Sequence, residues 1–279
     1  MKKINTLTII GLGLIGGSIA KKAKKEKLAR EIIGFSRRKS TLNKALREKA
    51  IDRATVSFDK AVSDAGVIVV ATPVSLIPIF LKRCQAHCKP GCLIMDVGST
   101  KEEIVRRAEK VFSQDKFFVG THPMAGSEKK GFEFSRADLF NDFICFVTRT
   151  KKTKLQALKK IKLFWKQLGA KPVVISPEKH DKVVAQVSHL PHVAAVSLLN
   201  CAYSNIKFIG NSFKDTTRVA SSDSNIWIDI FLSNRTNVIK SIDKFIKNLR
   251  YIKARIKGKR KAELRRMLEK AKSVRDSLI

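Results

Sequence analysis

Residue types able to do chemistry gather in a few short stretches of this 279-residue chain. The first is Gly11-Leu12-Gly13-Leu14-Ile15-Gly16, placed directly after the apolar run at residues 7–10 and before a helical pattern at about 15–29. In a G-x-G-x-x-G set between strand and helix, Gly11 permits the tight turn and Gly13 admits a pyrophosphate against the backbone. Gly16 lets the helix close on its strand, and the helix N-terminus turns free amides and its positive dipole end toward the phosphates. Leu14 and Ile15 share that wall, so the stretch reads as a dinucleotide site.

His122, in Thr121-His122-Pro123, directly follows another strand-like run. Histidine titrates near neutrality and can take the proton of a substrate hydroxyl as hydride departs to a nicotinamide. Ser99, in Gly98-Ser99-Thr100-Lys101, is placed to orient the same hydroxyl, and Thr72-Pro73 ends the most strand-like run of all. Arg218, the one arginine among the small uncharged residues around it, is a candidate bidentate clamp for a carboxylate. Ser188-His189-Leu190-Pro191-His192 brings two histidines together, but no carboxylate or cysteine completes a metal set. Substrate contact or helix-end packing is the expected role. Cys84, His87, Cys88 and Cys92 match no zinc or iron–sulfur spacing, so buried thiols rather than metal ligands are expected. No metal is called for.

These residues need a scaffold, and the first half of the chain supplies one. Short apolar strands at 7–10, 32–35, 67–71, 93–97, 117–120, 143–148 and 172–175 alternate with helical stretches, the pattern of a parallel sheet covered on both faces. The chemically capable residues fall just after the strands, where open α/β sheets bind ligands. Past Ser176-Pro177 only helical periodicity remains. Residues 192–202 are apolar on nearly every side, which predicts a buried helix and pairing of two chains through it. An amphipathic pattern from Val238 onward breaks at Gly258 and restarts.

Bulk composition narrows the class. Hydrophobic residues make up 44%, ample for a core, and five cysteines form no disulfide framework, which points to a reducing compartment. Met1-Lys2-Lys3 before an apolar run looks superficially like a leader, but the run is short and ends in the glycine turn. No segment approaches the roughly 18 apolar residues a membrane span needs, so a cytoplasmic protein is expected. Fifty-seven Lys and Arg against 24 acids leave a net charge of +33, which draws anionic ligands. The basic residues are spread along almost every predicted helix with no nucleic-acid motif, so nucleic acid is not the expected partner. At the end of the second strand, Ser36-Arg37-Arg38 carries no acid, where an acid would hold the ribose hydroxyls of NAD. Arginine there suits a 2′-phosphate, so NADP is favoured over NAD.

Five blocks together resemble the prephenate/arogenate dehydrogenase family of tyrosine biosynthesis. They are Gly11-Leu-Gly-Leu-Ile-Gly-Gly-Ser18, Asp96-Val-Gly-Ser-Thr-Lys101, His122-Pro-Met-Ala-Gly-Ser-Glu128, Ser188-His-Leu-Pro-His192 and Asp215-Thr-Thr-Arg-Val-Ala220, the last with Ser222-Asp223 and Trp227 behind it. The resemblance covers nearly the whole chain. It implies an α/β fold: a Rossmann-type, mostly parallel sheet domain over 1–176 and an all-α dimerisation domain over 177–279. It implies that His122 bonds the substrate's ring hydroxyl and assists hydride transfer with Ser99 beside it. Arg218 would bind substrate carboxylate and His192 would be a second contact, while His189 shapes the pocket and Glu128 and Asp215 stand at its mouth. The substrate would be prephenate, or arogenate, oxidised and decarboxylated with NADP or NAD by a homodimer.

Two departures bear on the pocket wall: Ile209-Gly210-Asn211-Ser212-Phe213 replaces a run of glycines, and no proline stands near Asn225-Ile226. The length leaves room for neither a chorismate mutase nor an ACT domain, so a monofunctional enzyme is expected. Two other readings compete with this one. A β-hydroxyacid-type dehydrogenase would present a lysine where His122 stands, and a nucleotide-sensing DNA binder would rely on the charge.

Overall fold

The structure, a computed structural model, describes residues 3–112 and 115–278; Met1 and Lys2, the start of the leader-like segment, lie outside them. Among the described residues eight strands form one sheet: β1 (Ile4–Ile10), β2 (Ala29–Phe35), β3 (Arg53–Thr55), β4 (Val67–Val70), β5 (Leu93–Asp96), β6 (Phe117–Pro123), β7 (Ile144–Thr148) and β8 (Lys171–Ile175). Their order is β3-β2-β1-β4-β5-β6-β7-β8. Every pair is parallel except β6 with β7. The order reverses between β1 and β4, and that switch point opens a crevice at the carboxyl ends of the strands.

Among the described residues the α-helices of this half are α1 (Leu14–Lys25), α2 (Lys39–Arg47), α3 (Phe58–Val62), α4 (Ile77–His87), α5 (Glu102–Val111) and α6 (Leu155–Gln167). Side-chain alternation along the strands explains the two layers. Leu7, Ile9, Val69 and Met95 point to one face, against Ile19 and Ala23 of α1, Leu42 of α2 and Trp165 of α6. Ile10, Ile68, Val70 and Ile94 point to the other, against Phe58 of α3, Leu81 of α4 and Ile104 of α5. With both faces covered, the central strands are continuous apolar runs, which is why they stand out in the sequence. The short β3 and α3 do not; three and five residues are too few to display a period.

After Pro177 the chain is helical: α7 (Pro177–Val184), α8 (Leu190–Ala202), α9 (Asn211–Thr217), α10 (Ser224–Ser233), α11 (Arg235–Lys257) and α12 (Lys261–Asp276). α7 is capped by the Ser176 hydroxyl, which accepts from the Lys179 amide at 3.2 Å. Between α7 and α8 the helix widens into a π turn at Ala185–His189. Pro191 accounts for it: proline offers no N–H, and its ring crowds the carbonyl four residues back. By packing, one compact unit runs to Asn234 and a second begins at Arg235. Within the second, α11 and α12 form a hairpin pinned by Glu263, which accepts from Arg255 at 2.9 Å and Arg260 at 3.1 Å.

Two expectations need correction. α8 is not buried within the chain: only His192 and Ala195 are, while Val196 and Leu198 are about 40% exposed. One side of α8 packs against α9 and the short turns beside it, while the side bearing Val196 and Leu198 stays open. His122 does not follow a strand; it lies inside β6, opposite Phe146 of β7. Pairing with β7 carries the strand three residues beyond the apolar run, a contact that a local pattern cannot contain.

Candidate active site

The ends of β1, β4, β5 and β6 line a crevice of about 630 Å³, inside the range of about 300–1,000 Å³ usual for small-molecule sites. Gly11 turns out of β1 with φ +94°, and a Cβ there would stand 2.4 Å from the Ala71 carbonyl oxygen. A Cβ on Gly16 would fall 1.9 Å from the Gly11 carbonyl oxygen, so α1 reaches β1 only because position 16 has none. Gly13 differs, since a Cβ there would meet nothing within 4 Å. It is the N-cap of α1, no side chain caps the helix, and the first-turn amides are left for a ligand. Leu14, Ile15, Thr72 and Pro73 complete this wall. The cradle fits the phosphates of a dinucleotide. Gly11 donates to the Phe35 carbonyl at 2.9 Å, so Ser36-Arg37-Arg38 starts beside the same turn. Ser36 accepts from the Arg38 amide at 3.2 Å, and both arginines are exposed and outside the crevice wall.

His122 and Ser99 face this cradle from β6 and from the loop after β5. His122 is buried at its base. Its Nδ1 lies 2.9 Å from Nε2 of His180, whose own Nδ1 lies 2.7 Å from Asp181 Oδ1. Asp181 also accepts the Lys101 amide at 2.8 Å and the Glu102 amide at 3.0 Å, tying α7 to the first turn of α5. Behind them Lys101 Nζ pairs with Asp96 Oδ2, both side chains wholly out of water, and Asp96 Oδ1 has no partner among the described residues. Burial first, then His180, Lys101 and His189, hold the His122 imidazole well below its usual range. Burial likewise takes His180 down to about 2, helped by Lys101 and His189. Both rings are therefore neutral at pH 7. With Nδ1 engaged, Nε2 is the nitrogen His122 can offer the crevice.

The opposite wall comes from the helical segment. Arg218 lines it and donates to Glu128 Oε2 at 2.8 Å. Glu128's own backbone amide and then the Arg218 guanidinium hold that carboxyl below its ordinary value. Lys130 pairs with Asp223, which caps α10 by accepting the Asn225 amide at 3.0 Å. Trp227 lines the crevice, and His192 stacks flat behind it with ring centres 3.6 Å apart and Nδ1 unpartnered. His189 is deeper still: the π turn sets Ser188 at the crevice and His189 in the interior. There Nδ1 faces the Asn234 amide group at 3.3 Å, and burial lowers the imidazole to about 4. An amide nitrogen donates, so the His189 proton sits on Nε2, which has no partner among the described residues. Asp215 is exposed on α9 and does not line the crevice.

Thus the glycines, Leu14, Ile15, Thr72, Pro73, Ser99, His122, Glu128 and Arg218 converge. His192 and His189 stand one and two layers back, and Asp215 and the two arginines stand apart. Sequence reasoning passed over His180, Asp181 and the Asp96–Lys101 pair. The available signal was weak: an adjacent His-Asp in the first turns of a helix behind a Ser-Pro cap.

Residues 19–174 match the family model described as prephenate dehydrogenase, nucleotide-binding domain, and 176–270 match prephenate dehydrogenase, dimerization domain. The chain is similar to the prephenate dehydrogenase of Bacillus subtilis, with 35% identity over 98% of this chain and 76% of the relative. In structure it resembles the Aquifex aeolicus prephenate dehydrogenase in complex with hydroxyphenyl propionate and NAD+ (TM-score 0.93, 32% identity, 99% of this chain and 98% of that one). It also resembles the Synechocystis arogenate dehydrogenase (TM-score 0.85, 28% identity, 98% of this chain and 100% of that one).

Proposed function

The chain belongs to the prephenate dehydrogenase family, and from that premise we propose that its crevice carries out the NAD(P)-dependent oxidative decarboxylation of prephenate to 4-hydroxyphenylpyruvate. One observation carries the proposal. A backbone cradle open at Gly13, the His122 imidazole and the Arg218 guanidinium line a single crevice at the sheet's switch point.

Gly11, Gly13 and Gly16, with the α1 amides and Leu14, Ile15, Thr72 and Pro73, would hold the dinucleotide. When bound, its nicotinamide supplies the hydride acceptor. Ser99 orients the ring hydroxyl and His122 Nε2 takes its proton, so that C4 can become a carbonyl as its hydride leaves. The bond from the ring to its carboxylate then breaks, its electron pair aromatises the ring, and the phenolic oxygen regains a proton that the His122 imidazolium can return. Arg218 holds a substrate carboxylate by charge-assisted bonds, a geometry to which its planar fork is suited. His192 acts through the Trp227 wall, and the unpartnered Nε2–H of His189 and Nδ1 of His192 are polar atoms that a substrate or water would satisfy. Glu128 favours a second reading, since a carboxylate beside the clamp can receive the ammonium of arogenate.

Cofactor choice rests on Ser36-Arg37-Arg38, basic where an acid would select NAD, and we assign NADP on that ground. The division at residues 176/177 into a nucleotide-binding and a helical domain is supported by where the two family matches meet. Pairing of two chains through the second is supported by the exposed apolar side chains of α8 and the turn after it: Val196, Leu198, Tyr203, Ile206 and Phe208. Among the described residues no helix is long and apolar enough to cross a membrane. The free cysteines, four of them buried, suit the cytoplasm we assign. The test is nicotinamide absorbance with purified protein, prephenate or arogenate, and NAD or NADP. Reduction only with prephenate and more efficiently with NADP is expected, and no reduction in any combination overturns the proposal. The R37A/R38A double variant should penalise NADP selectively; equal loss with both cofactors would refute the assignment.

A further inference from the structure

His122 is held from behind by a buried chain of two side chains, His180 and Asp181, that nothing in the reaction chemistry itself requires. Hydrogen bonds in that chain are directional, and one end fixes the rest. The Asp181 carboxylate is an acceptor at both oxygens: Oδ1 receives the Lys101 amide at 2.8 Å and Oδ2 the Glu102 amide at 3.0 Å. His180 Nδ1, 2.7 Å from Oδ1, must therefore carry a proton and donate it. A neutral imidazole carries one N–H only, so His180 Nε2 is left with its lone pair. His122 Nδ1, 2.9 Å away, must donate to it. His122 Nε2 is then the unprotonated nitrogen, on the side of the ring away from His180, and His122 lines the crevice. The opposite tautomer would point an N–H at the substrate hydroxyl and could accept nothing.

We propose that His180 and Asp181 are positioning residues that lock His122 in the Nδ1–H tautomer and so make Nε2 a base for a substrate hydroxyl. Phe146 of β7 packs edge-on against the His180 ring, centre to centre 5.3 Å, which fixes its plane. Asp181 has a second use, because its two backbone partners open α5, the helix that follows the Ser99 loop. One carboxylate thus sets both the protonation of His122 and the position of the strand-end loop opposite. The inference rests on His122 being the base.

The discriminating pair is H180Q and H180L. Glutamine can place a carbonyl oxygen near the position of His180 Nε2 and keep an acceptor for His122 Nδ1–H; leucine fills a similar volume without one. H180L should lower kcat at least tenfold while the KM values for prephenate and for the dinucleotide stay within about twofold, and H180Q should recover most of that loss. Nitrogen-15 spectra of the imidazoles give a readout independent of turnover. The ring signals that vanish in H122N should report the Nδ1–H form in the parent and in H180Q, and the Nε2–H form or a mixture in H180L. D181N should show the same mixture if it folds; if it does not, the His180 pair decides alone. An Nε2–H ring in the parent protein overturns the proposal. So does equal loss in both His180 variants with normal melting, or an H180L variant with unchanged kcat. An H122N variant with full activity would instead remove the reading of His122 as base, and the spectra would still report the tautomer.

Discussion

Replacing Lys101 by methionine tests the polar core beneath the crevice. Lys101 Nζ and Asp96 Oδ2 pair with both side chains fully excluded from water. Methionine keeps most of the stem and removes the ammonium. The carboxylate left behind has the Gly98 amide at 2.8 Å on one oxygen and no partner on the other. Stripping one partner from a buried pair costs about 3–5 kcal/mol, because the remaining charge cannot be solvated. In a domain of this size each kcal/mol lowers Tm by about 2–4 °C, so K101M should melt roughly 6–20 °C below the parent. D96N/K101M removes the stranded charge and should recover a good part of the loss.

The second consequence falls on His122. The Lys101 ammonium is among the charges that disfavour its imidazolium, after burial and His180. Without it the His122 pKa rises. As the proposed base, His122 must be neutral to act, so the acid limb of kcat/KM should move to higher pH in the double variant. Calorimetry reads the first effect and a pH–rate profile the second. A K101M protein melting within about 2 °C of the parent, or a double variant no better than the single one, would refute the reasoning about the pair. An acid limb that stays in place would refute the coupling to His122.

The remaining expectations are simpler. H122N should lose about 10²–10⁴ in kcat with little change in substrate KM, whereas R218Q should mainly raise KM, by about 10–100-fold, as expected for a lost charge-assisted bond; steady-state kinetics with prephenate separate the two. G13A should fold and melt like the parent yet bind the dinucleotide weakly, because its methyl group enters open crevice. G16A should lose stability itself, by about 1–3 kcal/mol or more, because its methyl would meet backbone at 1.9 Å. Melting curves with and without dinucleotide distinguish these, and equal behaviour would refute the account of the loop. Acid should destabilise the fold between pH 6.5 and 4: His189, lowered to about 4, stays neutral in the folded chain while the unfolded chain takes up a proton. Stability from this group is thus full above pH 6.5 and is lost as pH falls, on the order of 3 kcal/mol for the whole shift. The fall in urea midpoint from pH 7 to 4.5 should shrink in H189Q.

What the chain determines locally was legible from its residues. The glycine loop is a backbone device, so its chemistry is written in consecutive positions: a left-handed turn at Gly11, an open approach at Gly13, a close contact at Gly16. The central strands are buried on both faces and therefore read as unbroken apolar runs, while the helices read by their period. Ser99, His122 and Arg218 stand out in the sequence by the apolar runs or uncharged surroundings beside them, and the fold brings all three to one crevice. What the sequence could not contain are relations across distance. His122 and His180 are 58 positions apart, and nothing near either residue announces the other. Only the docking of α7 beside β6 and the start of α5 turns an unremarked His-Asp into the backing of the candidate base. The Asp96–Lys101 pair has the same origin, for five residues apart on a strand end and a helix start look like surface charges until the fold closes over them. α8 shows the converse. Its composition demands cover, but where that cover comes from is decided by what packs against it, and within one chain only one side is covered. Local conformation follows from bonded neighbours and short-range sterics; protonation, tautomer and burial follow from whichever distant groups the fold brings within a few ångströms.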